Sequence, residues 1–457
     1  MCDDGITRYR HIKMTENTIF TVSNDDKSRY KTSRLLYIIE AALEYFISIA
    51  VGTVYLAKLA THIGISDWLT GILTSFVSLG CAFQIFAVFL GRFKPVKTWV
   101  TVFHITSQVL FTGLYFIPAF KWSVAVKTVL FIVMLLFAQI IHNVINAPKI
   151  NWFMSLVDDR KRGGFTANKE MVSLVGGMLF SYGLGFVFDY FESANQNEQG
   201  FIFCGIGLFI LMVLHSLTLI FSVEKPAKKE EKVGFKKQFG TICKNKSIFK
   251  IVLVATLWNV ANYATVSFTG TYQNNELGFS FKFASAIIIV GSLARVLMSK
   301  PLGRYADKHS FSKMLCICFI IEAVAFACNI FTVLSNGKVM FTIYTILHYM
   351  GMAGINSSLI NLMYDYVEEE QRVNTLAINQ TFYGLAGFLT TLALSPVLAL
   401  IQENGNQIFG MTIYAQQLFS AFSMIITLIL LAYVLKVVNK IKKVEGKETA
   451  EENSEQK

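Results

Sequence analysis

Long apolar runs alternate with short polar connections along the whole chain. A helix needs about 20 apolar residues in succession to cross a hydrocarbon core. Twelve runs reach that length, at approximately 35–59, 68–90, 97–119, 122–146, 168–190, 201–222, 249–271, 282–302, 313–334, 339–362, 376–400 and 411–435. Residues 1–34 carry charges of both signs and lack the apolar core of a secretory signal, so they are expected to form a tail, as are residues 436–457. The long polar connection 223–248 divides the runs six and six. The pattern predicts an all-α membrane protein of twelve transmembrane helices, with one six-helix half at 35–222 and another at 249–435.

Composition supports lipid as the solvent. Of 457 residues, 54% are hydrophobic and only 16% charged, against about 25% charged in a soluble protein. The mean hydropathy is +0.50. The net charge of +11 would suit a nucleic-acid partner, but the placement of the 41 Lys and Arg argues otherwise. They concentrate in the two tails, the central connection and the connections after the second, fourth, eighth and tenth runs. The alternate connections hold only Lys121, Lys127, Lys282 and Lys338. Cytoplasmic loops are enriched in Lys and Arg, so both termini are expected in the cytoplasm of a cell-membrane protein, with the basic charge facing anionic lipid. The seven cysteines have no metal or redox spacing, and four of five tryptophans (Trp68, Trp99, Trp122, Trp152) fall near run ends, as interfacial residues do.

The halves repeat one another. Leu90-Gly91-Arg92-Phe93 after the second run matches Leu302-Gly303-Arg304-Tyr305 after the eighth. Asn151 followed by Val157-Asp158-Asp159 and Arg162 matches Asn361 followed by Val367-Glu368-Glu369 and Arg372. Two parallel six-helix halves follow. The stretch Pro301-Leu302-Gly303-Arg304-Tyr305-Ala306-Asp307-Lys308, with Lys313 beyond, resembles the cytoplasmic loop signature of the major facilitator superfamily: Gly, three residues, Asp, then basic residues. Trp152 through Phe165 also resembles a bacterial version of that superfamily. Ser310 and Phe311 depart from the fullest signature, and the first-half copy has no Asp. The resemblance implies two pseudo-symmetric halves rocking about a central cavity, and an inward gate carried by Gly303, Arg304, Asp307, Lys308 and Lys313. Gly303 would permit a turn or close helix approach, and Asp307 would receive hydrogen bonds from a neighbouring helix N-terminus. Arg304, Lys308 and Lys313 would pair with acids on adjacent loops. Arg162 and Arg372 could likewise meet Asp158, Asp159, Glu368, Glu369 and Glu370, or simply lie on a solvated surface.

Ionisable groups within runs are costly, about 3 kcal/mol by insertion scales, and hence paired, cavity-facing or functional. Glu40 and Glu44 lie four apart on one helix face, at depths of roughly 8 and 14 Å. Two like charges on one buried face do not both ionise cheaply, so one carboxyl is expected to hold a proton, as a proton carrier must; the other reading is a structural pair. Arg295, at a depth of about 10 Å, is the expected switching partner. Glu322 reads as a structural hydrogen-bonder, Lys58 as a snorkelling residue, and His104 and His215 as packing residues. Glycines Gly176, Gly177, Gly183 and Gly185, with Gly384 and Gly387, read as sites of close helix packing.

In the superfamily resembled, the first, fourth, seventh and tenth helices line the cavity. Here they hold Tyr45, Ser48, Tyr55, Gln139, His142, Asn143, Asn146, Trp258, Asn259, Asn262, Tyr263, His348, Tyr349 and Asn356. The substrate-binding candidates are Tyr45, Ser48, Asn143, Asn146, Trp258, Asn259, Asn262, Tyr263, His348 and Asn356. Amides, hydroxyls and aromatics without a dominant fixed cation suit a neutral or weakly charged polar solute such as a carbohydrate. The expected function is proton-coupled symport of a small molecule by a monomer. No cofactor, metal site or phosphate-cradling loop is expected, and nothing has the spacing of an enzyme's catalytic set. Export of amphipathic compounds and a sensor or lipid-handling role on the same scaffold are the alternatives.

Overall fold

The computed structural model describes residues 30–90, 95–157, 162–225, 246–365, 372–408 and 410–440. They are almost entirely helical, apart from a two-residue β pairing of Gln407–Ile408 with Met411–Thr412. Helices α1 (Lys31–Ala50) and α2 (Thr53–Ile63) form a pair bent by 44°, where Gly52 adopts the extended conformation of a helix N-cap. Short helices α3 (Asp67–Thr74), α4 (Phe76–Ala82) and α5 (Ile85–Leu90) follow. Next come α6 (Val96–Gly113), prolonged by a 3-10 turn through Ala119, then α7 (Val124–Met154), α8 (Arg162–Ser193) and α9 (Asn197–Phe221).

The second part of the chain begins with α10 (Lys246–Val266), which continues through α11 (Thr269–Thr271) and a π turn over Tyr272–Glu276. It proceeds through α12 (Phe281–Lys308), α13 (Phe311–Ile330), α14 (Gly337–Asp365), α15 (Arg372–Glu403) and α16 (Ala415–Lys436). Among the described residues, ten helical stretches are long and apolar enough to cross a membrane, or eleven with the bent α1–α2 pair. The protein is therefore an all-α, multi-pass membrane protein. Helix α14 stands outside that set although it is 29 residues long, because His348, Asn356 and Asn361 interrupt its apolar sequence.

Two large apolar cores hold the bundle. One joins Ile47 through Met212 with Phe281 and Ala284; the other joins Ile248 through Val438. Between the two parts, α15 packs on α3, α4 and α5, and α8 packs on α12. Helix ends near Asp67, Asp189, Glu276, Phe281 and Gln402 meet in hydrogen bonds at one end of the bundle, called here the far side, and the opposite end, where α1 begins at Lys31, is called the tail side. Val129, Phe137, Leu179, Phe209, Leu297 and Leu389 stand more than half exposed or nearly so, and such side chains in number require lipid rather than water around them.

One boundary matters for the site. Helix α7 does not end near 146 but runs on to Met154 through Pro148. Lys149, which the sequence pattern places among loop residues, is thereby part of a buried helix and only 2% exposed. Residues 31–34, expected in the tail, form the first turn of α1, while residues 1–29 and 441–457, the first-half motif copy at Gly91 to Lys94, the central connection from 226 to 245, and Asp158, Asp159, Glu368, Glu369 and Glu370 lie outside the described residues, as do the side chains of Arg162 and Arg372.

Candidate functional site

Glu40 and Glu44 sit one turn apart on α1 and share a face with Lys149 of α7. The Lys149 ammonium donates to Glu40 Oε1 at 2.9 Å and also to Glu44 Oε2. Three histidines close around the pair. His215 Nε2 of α9 lies 3.1 Å from Glu40 Oε1, and His104 Nε2 of α6 lies 3.4 Å from the same oxygen and 3.5 Å from Glu44 Oε1. His142 Nδ1, also of α7, lies 3.5 Å from Glu44 Oε1. The two imidazoles of His104 and His215 approach at 3.0 Å between Nε2 atoms, so one carries the proton that the other accepts.

Burial grades across the cluster. Glu40, His104 and His215 are fully enclosed, whereas the side chains of Glu44 and His142 remain 16% and 21% exposed. Glu40 Oε2 and the Nδ1 atoms of His104 and His215 have no hydrogen-bond partner among the described residues. Buried polar groups usually find partners, so these three atoms leave hydrogen-bonding capacity unspent inside the cluster. Glu40, Glu44, His104 and His215 place donor atoms within 4.8 Å of one another, a donor set suited to a divalent metal. In this arrangement, however, the Lys149 ammonium supplies the positive charge on both carboxylates.

This geometry revises several expectations. Arg295 is not the partner of the carboxylates; Lys149 is, because α7 lies against α1 while Arg295 projects from α12 within electrostatic reach of Tyr45 and Tyr349. Nor need either carboxyl hold a proton to lie here, since an ammonium contacts both. His104 and His215 are members of the cluster rather than packing residues. Sequence reasoning missed His142 and Lys149 as site partners, although their spacing of seven residues puts them on one face of a helix. Lys58 pairs with Glu192 at 2.7 Å and lies 4.2 Å above the Phe281 ring.

Among the substrate-binding candidates, Trp258 is fully buried in the second core against Phe319 and cannot touch a solute in this conformation. Asn259 is equally buried, its amide donating to Ser78 Oγ at 3.0 Å and Tyr383 O at 2.6 Å, so it ties the two parts together. His348 pairs through Nδ1 with Glu322 at 2.9 Å. Asn143 donates to Gln139 O and accepts from Cys81, and Asn262 is buried with Oδ1 unpartnered among the described residues. Tyr45, Asn146, Tyr263 and Asn356 are half-buried, and Ser48 is exposed with its hydroxyl turned to Tyr45 O.

The acids expected to pair with the motif lie outside the described residues. Gly303 lies inside α12, and among the described residues nothing stands within 4 Å of the position a Cβ would take. Ser310, not Asp307, caps α13 by accepting from Lys313 N. Arg304, Asp307, Lys308 and Lys313 are exposed and form no ion pair among the described residues.

Hydrogen bonds between the two parts gather instead on the far side. Asp189 of α8 receives the backbone N–H groups of Phe281 and Lys282 at 2.9 and 3.0 Å, a carboxylate on the N-terminus of α12. Gln402 donates to Asp67 at 3.0 Å and Glu276 at 2.9 Å, and Asn275 donates to Asp67 at 2.7 Å. Tyr55 and Ser285 join at 2.7 Å. Glycines admit the close approaches: a Cβ on Gly384 would stand 2.4 Å from Ser78 O, and one on Gly270 2.2 Å from Thr53 O. Gly183, by contrast, has nothing near it.

A multi-pass helical protein whose two parts are bonded to each other at one side, with a charge cluster buried inside the first part, has the form of a membrane transporter. Residues 36–391 match the sequence profile of the Major Facilitator Superfamily, and the chain belongs to that family. It is a secondary-active transport protein and not an enzyme. No curated protein matches its sequence significantly. Several solved structures share its fold. The nucleoside transporter NupG superposes with a TM-score of 0.66 at 13% identity, over 90% of this chain and 100% of that one. A D-xylose-proton symporter gives 0.66 at 12%, over 88% and 97%, and the POT family transporter PepTSo gives 0.65 at 12%, over 90% and 99%.

Proposed function

We propose that the protein is a proton-coupled symporter that moves a small polar solute across the cell membrane by alternating access. In this reading twelve helices form two pseudo-symmetric halves around a central cavity, and both tails are cytoplasmic. The observation that carries the proposal is the buried Glu40–Lys149–Glu44 cluster. Two carboxylates and one ammonium leave one net negative charge while the imidazoles are neutral, so a single proton taken up by the cluster neutralises it. A charge that is costly in the membrane in one state and cancelled in the other is what couples a proton to a conformational change.

The far-side bonds fit the same scheme. With Asp67, Glu276, Gln402 and Asp189 engaged across the two parts, the far side is the closed one in this reading, and the tail side would open and close opposite to it. The motif residues would pair when that side closes. One structure of similar fold is a D-xylose-proton symporter, and half-buried Tyr45, Asn146, Tyr263 and Asn356 would line the solute path, a lining that admits a carbohydrate.

The test is flux in proteoliposomes loaded with a pH indicator, against a panel of sugars, amino acids and organic acids. Uptake with alkalinisation outside, lost in Glu44→Gln, is expected. Solute flux that leaves the pH unchanged and persists in Glu44→Gln would overturn the coupling. Binding with no flux would instead favour a sensor.

A further inference from the structure

Arg295 is left without the partner its depth in the membrane demands. Helix α12 turns Leu293, Val296 and Leu297 outwards, at 48%, 45% and 73% exposure, and buries Gly291 and Ser292 against its neighbours. Arg295 lies three residues after Ser292 and shares its protein-facing side. It is half-buried, and its charge acts on Tyr45 of α1 and Tyr349 of α14. The Tyr349 ring packs on Gly291, with Cδ2 3.0 Å from the position of an added Cβ, which keeps α14 close to the guanidinium.

Among the described residues, the buried carboxylates of the spans are committed elsewhere. Glu40 and Glu44 are held by Lys149 and the histidines, and Glu322 by His348. Among the described residues Arg295 has no ion pair. An intramembrane charge without a protein counter-ion lines an aqueous path or binds an ion of opposite sign. The planar guanidinium fork matches an oxyanion through two parallel hydrogen bonds, and two tyrosine hydroxyls beside it add neutral hydrogen-bonding capacity.

We propose that Arg295, flanked by Tyr45 and Tyr349, binds an anionic group, carboxylate or phosphate, on the transported solute. The solute is thus a small organic anion rather than a neutral sugar. Its binding cancels the Arg295 charge, as a proton cancels that of the Glu40–Lys149–Glu44 cluster. This deepens the transport reading and rests on it for the claim that the ligand is carried.

The test uses purified full-length protein and matched probes: D-glucuronate and D-glucose 6-phosphate against D-glucose, and lactate against lactamide. Unfolding temperature is followed, since a ligand of the native state raises it. At least one acid is expected to stabilise the protein where its neutral counterpart does not. Arg295→Gln should weaken that binding about tenfold or more, the worth of a charged hydrogen bond. Arg295→Lys, which keeps the charge but not the fork, should keep the preference for acid with lower affinity, and it decides the matter if the Gln variant does not fold. A carboxylate that stabilises where the sugar phosphate does not identifies the anion class. Stabilisation by none of the acids, equal stabilisation by neutral partners, or an acid effect unchanged in both variants would overturn the proposal. Proton-coupled flux of D-glucose alone would overturn it while sparing the transport reading; acid binding without flux would do the reverse.

Discussion

Lys149 of α7 and Glu40 of α1 lie 109 residues apart in sequence and meet at 2.9 Å, with side chains 2% and 0% exposed. A buried ion pair is not in itself a gain in stability, because desolvation offsets attraction, but breaking one partner leaves the other charge stranded. The pair therefore makes the first helix of the bundle dependent on the fourth crossing, and the second carboxylate, Glu44, depends on the same ammonium.

Replacing Lys149 by Ala should accordingly be among the most damaging single changes, with a cost of about 3–5 kcal/mol. The double variant Glu40→Gln with Lys149→Ala should recover part of that loss. Thermal unfolding in one detergent would measure both; a double variant no more stable than the single one would show that the carboxylate was not the stranded charge.

Glu40 and Glu44 should separate in function. Glu44, still 16% exposed, is reachable by water and is expected to exchange protons, so Glu44→Gln should abolish coupling while leaving the unfolding temperature little changed. Glu40→Gln should mainly destabilise, since its carboxylate accepts from Lys149 and lies 3.1 Å from His215 Nε2. Proton flux and unfolding temperature, measured on both variants, distinguish the roles.

The far-side seal makes a third expectation. Gln402 holds Asp67 and Glu276 together, and each hydrogen bond to a charged group contributes about 1.5–3 kcal/mol. Gln402→Ala should shift the population towards the far-side-open form by roughly tenfold or more. Distances between spin labels on either side of the seal would report it as a longer-distance population.

Close approach at Gly384 leads to a fourth. A Cβ there would stand 2.4 Å from Ser78 O and 2.5 Å from Ala82 N, and backbone atoms cannot swing aside. Gly384→Ala should force α15 away from α4 at a cost of about 1–3 kcal/mol. Gly183→Ala, with open space around it, serves as the control and should leave the unfolding temperature unchanged.

The helices were legible in the sequence because lipid demands long, nearly uninterrupted apolar runs, and that demand is local. The importance of Glu40 and Glu44 was legible for the same reason: a carboxylate in such a run has to be accounted for within the run itself. Lys149 was not, because Ala147-Pro148-Lys149 has the composition of a connection and only the continuation of α7 to Met154 buries it. His104 and His215 carry no local mark of their role, since each reaches Glu40 from a different helix. Trp258 and Asn259 were misplaced for the opposite reason: their polar atoms suggested a solute path, while packing of α10 against α13 and α15 encloses them.

The sequence by itself thus determined the solvent, the helical class and which charges would be costly to bury, because apolar length and charge density are properties of neighbouring residues. Tertiary structure alone decided which cation answers which carboxylate. Lys149 took Glu40 and Glu44 because α7 lies beside α1, and Arg295 on α12 was left facing Tyr45 and Tyr349. Partner choice depends on which helix faces meet, and that contact geometry is set by the packing of the whole bundle.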